Sequence, residues 1–285
     1  NISVSGSGIL DFAYTGNTDS NYKNYFYGIC SEKALSLNGV TLSAEASGYR
    51  YYSNIAEAGD ALTITDSKLT AAVMEICESD NASLTVTGST LIGDATDIDS
   101  DGASIYSYGD MLIKNSTINA KCSGWAGIVC ESGTLTIDSS DVTAVTDVQK
   151  SDVNEGSGIE GYLADIVIKD STVNATGTNY GIISFSYYNK SESKFIGGNI
   201  SITGSEVTAK STTSGFPGIA SMFVKSNSGI YEDITAITAN IMPITITDET
   251  VVQGNAINTN KTYLSRGDLD STYTGADKDV KGIMI

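Results

Sequence analysis

Residues 133–144 read GTLTIDSSDVTA, and the order of residue types in this stretch decides the fold. Leu135 and Ile137 alternate with Thr136 and Asp138, the period-two pattern of a strand that buries one face. Ser139 and Ser140 interrupt the alternation with short side chains that bond to nearby backbone, which suits a sharp turn. Val142 and Ala144 then resume it. Two short strands joined by a turn cannot bury an apolar face alone, so the stretch needs neighbours built on the same plan.

The chain supplies them. ALTITDSKLTA at 61–71, SLTVTGSTLIG at 83–93, ADIVIKDSTVNA at 164–175 and GNISITGSEVTA at 198–209 share one template. It reads apolar-x-apolar-x-turn-Ser-x-apolar-x-Ala, and its first apolar position falls at Ile2, Leu35, Leu62, Leu84, Met111, Leu135, Ile166, Ile200 and Ile244. From Ile2 to Ile244 there are eight intervals, a mean period of about 30 residues, inside the range of solenoid and array repeats. The turn position holds Gly6, Gly39, Asp66, Gly88, Asn115, Ser139, Asp170, Gly204 and Asp248, mostly residues that accept positive φ or bond to their own backbone.

A third apolar element precedes each new copy, often as Gly-Ile: YGICS, AGIVC, SGIEG, YGIIS and PGIAS. Three short strands per copy predict an all-β chain whose strands each pair with their counterpart in the next copy. The expected fold is a right-handed parallel β-helix of about nine coils, since crossovers between parallel strands are right-handed by default. At the usual strand spacing, nine coils stack to roughly 40 Å. An antiparallel sandwich has no reason to keep Ser after the turn in seven of nine copies. The helix is expected over residues 1–253, with 254–285 as a C-terminal cap or tail of the same domain, because terminal repeats must cover the end of the stack.

Composition narrows the function. Sixteen basic against 34 acidic residues give a net charge of −18, which disfavours nucleic acid and anionic membranes as partners. No apolar run reaches the roughly 20 residues of a membrane span, so no membrane insertion is expected. The chain has no histidine and only two arginines, Arg50 and Arg266, which removes histidine bases and multi-arginine clamps. Cys30, Cys77, Cys122 and Cys130 are too few for a disulfide framework, and most are expected as buried thiols. A monomer is expected.

The repeat, through residues such as Leu135, Ile137, Val142 and Ala144 and the Gly-Ile elements, resembles right-handed β-helix repeats in surface proteins of Gram-positive anaerobes. Members of that group look like polysaccharide lyases that keep the helix without the full catalytic set, and some are linked to calcium and plant polysaccharide. The resemblance implies a secreted or cell-surface module that binds carbohydrate or mediates adhesion. Fold alone does not name the ligand.

Candidate chemistry falls in the loops between the second and third strands of each copy. The expected glycan platform comprises Tyr22, Tyr25, Tyr27, Tyr49, Arg50, Tyr51, Tyr52 and Trp125, because exposed rings stack on sugar faces while polar neighbours bond hydroxyls. The partner expected is a polysaccharide or a host or cell-surface glycan; Tyr-rich surfaces also bind protein. Within DIDSDG at 97–102, Asp97, Asp99, Asp101 and Gly102 match the first half of a calcium loop. The twelfth position, normally a bidentate Glu, is Tyr108, so Asp94 or a neighbouring coil would have to complete the site. Calcium is the cofactor expected there. The alternatives are a calcium-dependent polysaccharide lyase-like enzyme and a structural stalk or protein-directed adhesin. Asn17-Thr18-Asp19 resembles a polygalacturonase fragment, but the histidine of that pattern is missing, and Arg266-Gly267-Asp268 matches an integrin-type tripeptide.

Overall fold

The computed structural model describes residues 1–15, 25–47, 52–72, 75–79, 83–95, 102–147, 156–189, 194–213, 216–224, 244–247, 251–254 and 257–263. Among these residues there are strands and turns but no helix. The nine template positions form one continuous parallel ladder. Ile2 pairs with Leu35, and the series runs on through Leu62, Leu84, Met111, Leu135, Ile166, Ile200 and Ile244 without a slip. A second ladder runs from Leu10 through Leu42, Leu69, Leu91, Ile118, Val142, Val173 and Val207 to Val252. A third runs from Ile29 through Ala56, Cys77, Ile105, Ile128, Ile159, Ile182 and Ile219 to Ile257.

The three ladders are not three separate sheets. Ala126–Asp138 and Ser157–Lys169 pass from the third ladder into the first with no break between strands. Those two ladders therefore merge into a 17-stranded sheet, which with the nine-stranded second ladder nearly closes around the core. Leu62, Ile64, Leu69, Ile105, Ile137, Ile159 and Val173 are among its fully buried members. Each such side chain contributes about 1.5–3 kcal/mol of burial free energy, and stacking like on like leaves few voids. All four cysteines are free thiols; Cys77, Cys122 and Cys130 are buried and Cys30 is exposed.

The corner between the first and second ladders shows why the template carries the residues it does. Asp66, Asn115, Ser139 and Asp170 sit at φ 47°, 50°, 51° and 49°, in the left-handed region that short polar side chains tolerate, and Gly39, Gly88 and Gly204 sit at 69°, 61° and 59°. The serine that follows stacks from repeat to repeat. Ser67 N–H donates to Ser89 Oγ, Ser89 N–H to Ser116, Ser116 N–H to Ser140, Ser140 N–H to Ser171 and Ser171 N–H to Ser205, all at 3.1–3.2 Å. Each hydroxyl in turn donates to the carbonyl two residues before it, at 2.6–2.8 Å. A buried amide that the bend removes from its ladder thus finds a partner on the next coil.

In the seven inner repeats the paired positions of the first and second ladders are seven residues apart, as Leu35 is from Leu42. In the first and last repeats they are eight apart, Ile2 to Leu10 and Ile244 to Val252. The end repeats have a neighbour on one side only. Ile9, which the template points inward, is accordingly 68% exposed. Two further features depart from the sequence expectation. Ser186–Asn189 and Lys194–Gly197 form an antiparallel pair. The strand Ile257–Tyr263 pairs parallel with Ile219–Val224, carrying the third ladder past residue 253.

Candidate ligand-binding face

The outward side of the third ladder is where this molecule carries unusual chemistry. One outward row steps from Cys30 to Glu57, Glu78, Tyr106, Val129, Glu160, Ile183 and Ala220 on successive strands. An outward row normally faces solvent, yet Val129, Glu160 and Ile183 are fully buried. Part of their cover is aromatic. Trp125 and Tyr106 pack against a small cluster of Ala103, Ala126 and Val129 outside the main core.

The rings form a line. The centroids of Tyr106 and Trp125 are 6.3 Å apart, those of Trp125 and Tyr162 6.2 Å, and those of Tyr162 and Phe185 6.4 Å, with tilted or edge-to-face contacts throughout. The four residues come from four consecutive repeats. Trp125 is held by the stack itself, its N–H donating to Gly102 O at 3.0 Å and its carbonyl accepting from Gly156 N–H at 2.8 Å. Tyr106, Trp125 and Tyr162 are half-buried and Phe185 is buried.

Carboxylates flank the line and bond to neutral donors. Tyr106 Oη donates to Glu131, Asn54 Nδ2 donates to Glu78 at 2.7 Å, Ser157 Oγ donates to Glu160 at 3.2 Å and Cys30 Sγ donates to Glu57 at 3.5 Å. The third-ladder segments between residues 25 and 224 carry Glu57, Glu75, Glu78, Glu131 and Glu160 but no lysine or arginine among the described residues. Ion pairs join Lys114 to Asp138 at 3.2 Å and Lys121 to Asp94 at 3.8 Å. The Lys114 contact and, more strongly, the hydrogen bond from Ser139 hold the Asp138 carboxyl below its ordinary 3.8. On the inner side of the third ladder, burial first and Asp110 second push the Cys130 thiol up to about 12.

The sequence-expected site residues are distributed as follows. Trp125 lies in the aromatic line. Tyr25, Tyr27 and Tyr52 lie in strands of the third ladder rather than in loops, and Tyr27 is 39% exposed. Tyr14 and Phe26 stack on each other at 5.0 Å. Tyr22, Tyr49, Arg50 and Tyr51 lie outside the described residues, as do Asp97, Asp99 and Asp101. Asp94, the candidate to complete a calcium loop, is paired with Lys121. Among the described residues no three acidic or cysteine side chains converge on a common metal position.

Tyr106, Tyr162 and Phe185 are absent from the sequence-based site. They were findable: Tyr106 directly follows the Ile of its third element, while Tyr162 and Phe185 stand three residues after theirs. A second surface feature is a shallow groove of about 430 Å³ over the serine corner, lined by residues including Asn115, Thr117, Ser139, Asp141, Asp170 and Thr172. It is polar throughout and holds no ring. No family model matches the sequence, and no curated protein or solved structure matches it either.

Proposed function

We propose that this chain is a right-handed parallel β-helix of about nine coils that works as a non-catalytic, secreted or cell-surface module binding carbohydrate. The observation that carries the reading is the line of Tyr106, Trp125 and Tyr162, one half-buried ring per repeat on a rigid sheet. Such a row offers successive apolar faces to successive sugar rings, and its pre-organised backbone spares the ordering cost that a loop-built site incurs. Chain-like ligands suit it better than single sugars. The resemblance to Gram-positive surface repeats points the same way, as does the chain's lack of a histidine base.

The test is a glycan array followed by calorimetry on any hit. Trp125→Leu with Tyr162→Leu keeps apolar cover but removes the ring faces, and is expected to weaken binding by about ten-fold or more, near 1.4 kcal/mol, with little change in melting temperature. Unchanged affinity in that variant rejects the aromatic line as the platform. Calcium at Asp97, Asp99 and Asp101 belongs to the same proposal. Adding calcium to chelated protein should raise the melting temperature by mass action, and Asp97→Ala with Asp99→Ala should abolish the response.

A further inference from the structure

We propose that Asn38-Gly39, at the corner of the second repeat, is a site of spontaneous covalent modification whose rate is set by the serine that guards that corner. It is the only Asn-Gly pair in the sequence. Asn38 ends the strand Leu35–Asn38 and is exposed, and Gly39 follows at φ 69°. A methyl group added to Gly39 would meet nothing nearer than the Gly6 carbonyl oxygen at 3.7 Å, so the bend is open around it. With no side chain, Gly39 leaves its own nitrogen unshielded and free to turn once released.

The chemistry needs only water. The Gly39 nitrogen gives up its proton and attacks the side-chain carbonyl carbon of Asn38. A C–N bond forms, the bond from that carbon to Nδ2 breaks, and the departing nitrogen takes up a proton and leaves as ammonia. Water then opens the succinimide at either carbonyl, giving aspartate or isoaspartate. In the folded chain the attacking nitrogen is occupied, because Gly39 N–H donates to Thr65 O at 3.0 Å. Ser67 ties down the same corner: its Oγ accepts from Val40 N–H at 3.2 Å and donates to Thr65 O at 2.7 Å. Asn38 itself is held in the first ladder between Ser5 and Thr65. The reaction therefore requires the corner to open locally, an event distinct from unfolding of the whole stack. Isoaspartate would lengthen the backbone between Leu35 and Leu42, where the inner repeats keep a fixed spacing.

The experiment holds the whole chain in mildly alkaline buffer well below its melting temperature. Mass spectrometry and isoaspartate detection then follow the segment containing Asn38. Conversion is expected there in the folded chain, at a rate about ten-fold or more below that of the same chain unfolded in guanidinium. Asn38→Gln should remove the signal. Ser67→Ala is expected to quicken conversion about five-fold, the equivalent of one lost hydrogen bond. Ser140→Ala loosens a distant corner in the same way and should leave the Asn38 rate unchanged, which separates local opening from general loss of stability. The absence of conversion at Asn38 in the folded chain, equal folded and unfolded rates, or equal acceleration by the two serine variants overturns the inference.

Discussion

The two corners of each repeat solve opposite problems. Between the first and second ladders the spacing is seven residues in every inner repeat, the turn residue takes one conformation, and a serine links each coil to the next. Between the second and third ladders the spacing of paired positions is irregular, from 5 residues between Val252 and Ile257 to 19 between Leu10 and Ile29. The first corner bends the chain so tightly that its buried amides must be answered locally, and only a few residue types can do that. The second gives the chain room, so its side chains are free to vary. Regularity marks where the backbone sets the terms.

That contrast can be broken first at the core both corners enclose. Ile137 is fully buried in the first ladder, and Ile137→Asp places a charge there with no partner. A loss of several kcal/mol is expected, enough to unfold the chain or lower its melting temperature sharply. An unchanged melting curve would mean that the register is wrong.

A smaller effect separates the corners themselves. Ser140→Ala strands the buried Ser116 amide and removes the part-buried bond to the Asp138 carbonyl, at an expected cost of about 1–3 kcal/mol by denaturant titration. Ser7→Ala occupies the equivalent place in the first repeat but lies exposed, and should change stability by less than about 0.5 kcal/mol. Equal costs would show that the stacked hydroxyls contribute nothing beyond the turn.

The smallest expected effect lies in the third ladder and depends on pH. The Cys130 thiol is raised from its ordinary 9.0 to about 12, chiefly by burial, so the folded state keeps its proton after the unfolded chain has lost it. Its contribution is full below pH 9 and is lost progressively as pH rises from there toward 12, amounting to about 1 kcal/mol at pH 10. Cys130→Ala should flatten the alkaline limb of the stability profile by that amount relative to the parent. Identical profiles would contradict the burial that shifts the thiol.

Much of the stack was legible in the sequence because it obeys one rule repeated. Leu62, Leu84 and Met111 announce their register by alternation, and Asp66, Asn115 and Asp170 announce the bend by their tolerance of positive φ. What was not legible depends on contacts between repeats. Gly93 stands between Ala44 and Ala71 on one side of its column and Ala120 and Ala144 on the other, and a methyl group there would run into the Ile76 side chain. Ile76 in turn occupies a level where Gly158 and Gly181 stand in later repeats. There an added methyl on Gly158 would sit 2.7 Å from the Gly181 carbonyl oxygen. Neither exchange has meaning until both strands are placed. The same holds for the aromatic line: Tyr106, Trp125 and Tyr162 come from three different positions of their repeats, and only the lengths of the intervening corners bring their rings together.

The serine column has an arrow. Every amide in it points to the hydroxyl of the following coil, never the preceding one, from Val40 through to Ser205. Each repeat from that of Ser67 to that of Ser171 therefore presents an acceptor on one side and a donor on the other, identical in kind. Such a unit is a link in a chain of interchangeable links. Excising one whole repeat, from Leu84 to the residue before Met111, leaves a hydroxyl and an amide of the right kind facing each other across the cut. Duplication of a repeat inserts a matching pair. A gene that grows or shrinks by whole repeats thus keeps the inner corner intact at every length, and the aromatic face can be extended, shortened or rearranged one ring at a time.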